Sequence, residues 1–405
     1  MQKVDTPQGL DKATIIPRDQ HTVSRRHISD NALSVLRKLE AAGFQGYLVG
    51  GGVRDLLLEK RPKDFDIATD ATPEELRSLF RNSRIIGRRF KIVHVRQQRE
   101  LIEVSTFRKK PEEVSKLRNG VIQDNAFGTI EEDAERRDFT MNAIFYDPIH
   151  ETFFDPFNGK KDIENSQINF IGKKDQRLHE DPIRLLRAIR FHAKLDFNLC
   201  LTKKEIQAYI QLLQDIPYSR IFDEMMKFFL TGHAERSIKV LKQYELLDIF
   251  FPHLAQHSLE KKSLLMLGMK NTDNRVKENK TVNPGFLMAV VLWDAFKTDK
   301  SFNDEALSLD AKIKNFFNQS APNIFIHKRF IKYISDIWRL QPRFMKIRLK
   351  AVYRLSNHPR FRAAYDFLLL RSESGEEDKK YGDWWTRWQS ANESTRKQLL
   401  DQKDE

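Results

Sequence analysis

A run of twenty residues beginning at Leu48, LVGGGVRDLLLEKRPKDFDI, constrains the fold more than any other part of the chain. Tyr47-Leu48-Val49 reads as a strand and Gly50-Gly51-Gly52 as a turn. Val53-Arg54-Asp55-Leu56-Leu57-Leu58 reads as the first turns of a helix, and Phe65-Asp66-Ile67-Ala68 as a second strand. Asp64 and Asp66 stand at i and i+2, so on a strand they share one face, about 6.6 Å apart, with Phe65 turned into a core. Two carboxylates aimed at one spot repel each other unless a cation lies between them. Hard ions such as Mg²⁺ take oxygen ligands and bridge substrate phosphates. A bare pair of aspartates is commonly just solvated, but here a glycine turn precedes it. Glycine lets backbone amides approach an anion, a helix start favours phosphate, and Arg54 offers a fork of donors. The pattern therefore predicts a metal-dependent reaction at a nucleotide phosphate, with Gly50, Gly51 and Arg54 on the phosphates. No Gly-Lys-Ser/Thr follows at Walker spacing and no GxGxxG is present, which excludes P-loop and dinucleotide readings.

Two more motifs bear on chemistry. In Arg136-Arg137-Asp138-Phe139-Thr140-Met141-Asn142-Ala143, Asp138 is a candidate third carboxylate, acting as metal ligand and base, with both arginines placed for a triphosphate. Taken alone it also fits an ordinary salt bridge. Glu103, on a strand face with Leu101, Ser105 and Phe107, is the other candidate for the metal site, or else a surface residue of an edge strand. In His179-Glu180-Asp181-Pro182-Ile183-Arg184-Leu185-Leu186-Arg187, Asp181 can cap a helix that has proline at its first position. Arg184 and Arg187, three apart, share a face. One carboxylate and two arginines can meet the edge of a base; a capped, basic surface helix is the plainer alternative.

Seventy basic against 57 acidic residues give a net charge of +13, which suits a polyanionic partner. Residues 81–99 carry Arg81, Arg84, Arg88, Arg89, Lys91, Arg96 and Arg99 with no acid. Residues 341–365 carry Arg343, Lys346, Arg348, Lys350, Arg354, Arg360 and Arg362, interleaved with Phe344, Tyr353, Phe361 and Tyr365. Cations beside stacking rings fit single-stranded RNA, with Arg343, Arg348, Arg354 and Arg360 as candidate contacts. The same pattern fits an amphipathic helix with most of the rings in its core and the arginines outside. Cys200 is the lone cysteine, so there is no internal disulfide, and a zinc cluster is not expected. The apolar run Phe286 to Trp293 is too short to span a bilayer, and the N-terminus lacks a signal pattern, which predicts a cytoplasmic protein.

Along the chain, residues 1–28 read as a polar, extended extension. Asn31 to Ala42 reads as an amphipathic helix, and Thr72-Pro73-Glu74-Glu75 as a capping box. Strands are expected at Lys91 to Val95, Leu101 to Phe107 and Phe139 to Tyr146, a mobile insert at 108–128, and a hairpin turn at Asn158-Gly159. From Asp181 onward the chain reads as almost wholly helical, with Trp384, Trp385 and Trp388 docking.

GGGVRD, KDFD, RRDFT and EDPIRLLRAIRF, in this order, resemble the class II nucleotidyltransferases of polymerase-beta-like type, the family of tRNA CCA-adding enzymes and bacterial poly(A) polymerases. RDQHTVSRRHIS, GRRFKIVHV, VNPGFLMAVVLW and NHPRFRAAYDFLLLR resemble the poly(A) polymerases within it, and the similarity runs from about residue 18 to 390. One departure is the C-terminus, QLLDQKDE, where the family often carries an arginine-rich tail. The resemblance implies a fold of α+β class: a small antiparallel catalytic head at 29–170, then an all-α neck at 171–235 and body at 236–405. It implies two Mg²⁺ ions on Asp64 and Asp66, an acidic site completed by Asp138, and a triphosphate on Gly51, Arg54 and the Arg136-Arg137 pair. Asp181, Arg184 and Arg187 would sit near the base. The implied activity is template-independent addition of AMP from ATP to RNA 3′ ends, in RNA processing and decay, alongside possible RNA-decay proteins. CCA addition to tRNA is the alternative; a non-catalytic RNA-binding adaptor is a third reading, which the intact carboxylates oppose.

Overall fold

Alternating burial marks the strand that carries Glu103, while the strand that Asp66 opens is buried along the rest of its length. The computed structural model describes residues 14–87, 91–109, 127–255, 259–320 and 326–401. The strands of its large sheet are β1 (Thr14–Ile16), β2 (Gly46–Val49), β3 (Asp66–Thr69), β4 (Ser83–Ile86), β5 (Ile92–Gln97), β6 (Glu100–Thr106), β7 (Phe145–Asp147) and β8 (Thr152–Asp155). They form one eight-stranded sheet in the order β1-β8-β7-β2-β3-β6-β5-β4. Within this sheet every pairing is antiparallel except β3 with β6, so the sheet is mixed where the resemblance implied an antiparallel one. A parallel pair needs a crossover. The helix Pro73–Leu79 and the β4–β5 hairpin supply it, and they bring Glu103 of β6 into register with Asp66 of β3. Glu103 thus lies on an inner strand, between β3 and β5, and not on an edge.

Helices of this part are α1 (Asp30–Ala41), α2 (Gly51–Leu57), α3 (Pro73–Leu79), α4 (Ile130–Glu135), α5 (Gly159–Glu164) and α6 (Lys174–Glu180), followed by α7 (Ile183–Leu195). Ser29 caps α1, which buries Leu33, Leu36 and Leu39 as its periodicity requires. At α3 both halves of the Thr72–Glu75 capping box are made. Two local expectations fail. Residues 139–146 contain a 3-10 turn, Thr140–Asn142, before the short strand β7. Thr140 Oγ1 bonds Asp162 at 2.5 Å and Asn142 Nδ2 bonds Asp138 at 3.2 Å, so side chains compete with a ladder. Asn158-Gly159 opens α5 and is not a hairpin turn, because Asp155 accepts from the Gly159 and Lys160 amides at 2.8 and 2.9 Å. A Cβ on Gly159 would run into the Thr140 carbonyl. The hairpin is β7–β8 instead. Thr14–Ile16 adds an edge strand on β8, and Arg18 and Arg25 both pair with Glu151. Of the basic run 81–99, Arg88 and Arg89 lie outside the described residues, as do 110–126 of the expected insert and residues 1–13.

The chain divides into two units, one of residues up to Arg184 with Asp196–Thr202, the other of Leu185–Leu195 with Lys203–Glu405. The second is helical. Trp385 is fully buried, and its indole donates to the Phe344 carbonyl at 2.9 Å; Trp384 and Trp388 pack beside it. Phe344 and Tyr365 belong to that core, Phe361 packs on it, and Tyr353 stays 40% exposed. Arg343, Arg348 and Arg354 are exposed. Among the described residues no helix is long and apolar enough to cross a membrane.

Candidate active site

Asp66 opens β3 beside Val49 of β2 on one side and Glu103 of β6 on the other. Asp64 lies two residues ahead of it, exposed, outside the strand, while Phe65 between them is buried. Glu103 in turn faces His94 of β5, whose Nε2 lies 3.3 Å from Oε1 of Glu103. Asp66, Glu103, Arg136 and Arg137, with Val49, Ile92, Ser105 and Arg108, line a cavity of about 200 Å³. Asp66 is exposed at the strand's start, yet desolvation by its surroundings in the cavity pushes its carboxyl up to about 6; Glu103 and Asp64 push the same way, and Arg137 opposes them. A carboxylate so crowded by its own kind is poised to accept a cation.

The glycine turn is shaped by the same cleft. Gly50 has φ +74° and ψ −136°, a conformation that essentially only glycine adopts. A Cβ there would stand 3.8 Å from Oδ2 of Asp66 and 3.9 Å from Nη1 of Arg137. At Gly51 it would stand 3.5 Å from Nη2 of Arg54, and at Gly52 only 3.2 Å from the Asp64 carbonyl. The triple glycine therefore lets α2 press against the aspartate loop. Arg54 is buried, not extended into the cleft: it donates to Asp55 through Nε at 3.0 Å and Nη2 at 2.6 Å, and to Asn142 through Nη1 at 3.0 Å. Its charge lies under the turn. Asp138, half-buried, accepts from the Phe139 amide at 2.9 Å and from Asn142, joining Asp138, Asn142 and Arg54 in one chain.

The arginine pair is held from behind by Asp133, fully buried on α4. Its Oδ1 accepts from Arg136 Nε at 2.8 Å and Nη2 at 2.6 Å, and from the Arg108 amide at 3.3 Å. Its Oδ2 accepts from Arg137 Nε at 3.1 Å and Nη2 at 2.7 Å. Burial works to raise the Asp133 carboxyl, yet Arg137 and Arg136 carry it below the ordinary range. Arg137 also lies over the Phe145 ring at 5.1 Å. A second brace comes from Arg177 of α6, buried, which donates to the Arg136 carbonyl at 3.1 Å and to that of Arg137. Glu180 accepts from both Arg177 at 2.8 Å and Arg184 at 3.0 Å, and Arg184 caps the Arg177 carbonyl at 2.8 Å. Asp181 ends α6, and its Oδ1 accepts from the Ile183 amide at 3.4 Å.

The structure thus gathers Gly50, Asp66, Glu103, Arg136 and Arg137 at one cleft. It sets Asp138 and Arg54 in the network beneath the turn, and ties Arg184 to the arginine loop through Glu180 and Arg177. Arg187 falls in the other unit, where its charge acts on Glu224. Sequence reading missed His94, Asp133, Asn142 and Arg177. Asp133 stands three and four residues before the arginines it holds, the helical pairing interval, and so carried a signal; Arg177 reaches carbonyls about forty residues away and carried none.

Among the described residues no cluster of three or more His, Cys, Asp or Glu side chains forms a ready-made metal cage. Mg²⁺ does not need one, because it commonly binds one or two carboxylates, waters and substrate phosphates. The donors here are all hard oxygens, and the raised Asp66 is the group such an ion would relieve. The residues fit the ion.

Comparison with known proteins bears on the family of the chain. Residues 46–169 match the family model described as "Poly A polymerase head domain", 201–257 that of the "Probable RNA and SrmB- binding site of polymerase A", and 303–405 that of the "Polymerase A arginine-rich C-terminus". The chain is 40% identical to Poly(A) polymerase I of Salmonella typhimurium over 97% of its own length and 89% of that protein's. It is 38% identical to a CCA-adding enzyme of Listeria monocytogenes over 64% of each. The crystal structure of the Bacillus stearothermophilus CCA-adding enzyme in complex with CTP superposes with TM-score 0.59 at 25% identity, over 89% of this chain and 82% of that one.

Proposed function

The chain belongs to the bacterial poly(A) polymerase family of nucleotidyltransferases, and on that premise we propose that it adds AMP from ATP to RNA 3′ ends without a template, releasing pyrophosphate. The observation that carries the reading is the cleft itself: Asp66 and Glu103 in register on adjacent strands, with Arg137 facing them beside Gly50.

Two Mg²⁺ ions held by Asp64 and Asp66, with Glu103 beside them, would lower the pKa of the RNA 3′-hydroxyl and offset charge on the pyrophosphate. The protein's own groups do the rest. Backbone at Gly50 and Gly51 leaves room for the triphosphate to lie against the turn. Arg137 and Arg136, fixed by Asp133 and Arg177, present positive charge to it without needing to reorganise. Arg54, held under Gly51 by Asp55 and Asn142, adds charge from below. Glu103, one strand from Asp66, serves as the third carboxylate. Asp138 orients Asn142 and through it Arg54. Asp181 and Arg184 are assigned to the base of the incoming nucleotide. The head spans 29–170, the neck 171–235 and the body 236–405, with Arg343, Arg348, Arg354 and Arg360 on RNA.

An extension assay tests this. Purified protein, Mg²⁺ and either ATP or CTP are given a generic single-stranded RNA or a tRNA lacking its 3′ end. Long tails on the generic RNA with ATP alone are expected. Three nucleotides added to the tRNA only, requiring CTP and ATP together, would reassign the chain to CCA addition.

A further inference from the structure

The helical unit holds a cleft of its own, of about 620 Å³, within the range of small-ligand sites. The end of helix Leu264–Lys277, the start of Pro284–Val291, the first half of Lys328–Phe344 and the start of Phe361–Ser374 form it. Its centre is a built stack. Gly285 lies against Tyr333 so closely that a Cβ would stand 2.9 Å from Cδ1 of the ring. On Tyr333 lies the guanidinium of Arg360, 4.5 Å from the ring centroid. A ring holds an arginine flat, which leaves its N–H edge for a phosphate and its outer face for a base. Arg275 and Arg362 line the same cleft. Arg275 spends Nε and Nη2 on the Thr281 carbonyl, at 3.1 and 2.9 Å, and Arg362 pairs with Asp366 at 3.0 Å. Three arginines against one aspartate leave the cleft cationic. The 14-residue helix Phe361–Ser374 starts here with no side-chain cap from its N-cap residue, Arg360, which adds the positive end of its dipole.

Planar cation, aromatic backing, two further arginines and nucleotide-sized space describe one ligand class. We propose that this cleft is a subsite for a nucleotide of single-stranded RNA, its base stacked on the Arg360–Tyr333 pair and its phosphate on Arg275 and Arg362. The inference rests on the reading of RNA as the substrate. It adds a specific base-holding place in the helical unit, built largely from residues 271–286 and 333 as well as the arginine-rich segment.

The test needs no catalysis, so a failure of adenylate transfer counts against the function above and not against this site. The full chain is titrated into a labelled oligo(A) of about fifteen nucleotides, followed by fluorescence anisotropy at several salt concentrations. Arg360→Gln is expected to weaken binding about tenfold, the scale of one stacked base, at every salt concentration. The melting temperature of the variant serves as the folding control. Independently of any variant, the wild-type protein should hold oligo(A) about tenfold tighter than an oligomer of the same length with abasic positions. It should also photocrosslink 5-bromouridine RNA within residues 271–286 or 333–369. Equal affinity for the abasic oligomer, an Arg360→Gln affinity within twofold of wild type, or crosslinks confined to other segments would each overturn the proposal.

Discussion

Asp133→Asn puts the architecture of the site under the sharpest stress, because it changes one oxygen to an amide and almost no volume. The carboxylate is fully buried and meets five donors: the Arg108 amide, Nε and Nη2 of Arg136, and Nε and Nη2 of Arg137. Asparagine keeps one acceptor and turns an NH₂ toward a guanidinium, so one arginine loses its anchor and its charge is left uncompensated. Removing one partner of a buried pair costs about 3–5 kcal/mol. The pH dependence has a definite sign. The folded carboxyl lies below its ordinary value, so its contribution is present above the unfolded pKa of about 3.9 and is lost as pH falls through the folded value. The variant should therefore unfold more easily at pH 7 and lack that part of the acid slope. Its catalytic effect follows from Arg137, whose guanidinium would no longer be aimed beside Asp66. Loss of one preorganised donor corresponds to about 10²–10³ in rate. Thermal unfolding from pH 3 to 8 and kcat/KM for ATP measure the two effects. Wild-type melting at pH 7 together with kcat/KM within twofold of wild type would refute the clamp.

Gly50→Ala should lower the melting temperature by a few degrees and raise KM for ATP, since φ +74° with ψ −136° costs a non-glycine residue about 1–3 kcal/mol; an unchanged KM would remove the turn from triphosphate binding. Arg177→Gln should cut kcat more than it raises KM for RNA, because it frees the carbonyls of Arg136 and Arg137; steady-state kinetics that show only a KM effect would make Arg177 merely structural. Arg184→Ala should relax the choice of ATP over CTP by more than it weakens ATP binding, read from paired single-nucleotide incorporation rates. Unchanged selectivity would exclude it from base recognition.

What was legible in the sequence was local. The strand–glycine–helix order, the Thr72–Glu75 box and the inward leucines of α1 are set by neighbours within four residues, and the structure forms them. The clustering of tryptophans could also be foreseen, since three indoles in five residues of otherwise polar chain have to bury somewhere. Whether Glu103 would lie beside Asp66 could not be read, because it depends on a parallel crossover and on one register among several. Arg54 appeared to be a free phosphate fork; Asn142, reached only through the 3-10 turn, engages it instead. Residues 139–146 look like a strand by composition, but Asp138 and Asp162 offer their backbone-proximal side chains better partners. The Arg177 brace spans two segments far apart in sequence, and no periodicity records it.

Transfer at the cleft lined by Asp66 and Glu103 is tested most directly by a single-turnover measurement of AMP transfer from ATP to a labelled RNA by wild type and Asp66→Asn, with RNA affinity measured in parallel. The expected result is a rate at least about 10³-fold lower in the variant, with RNA affinity within threefold of wild type. A rate within tenfold of wild type would contradict it and place the chemistry elsewhere.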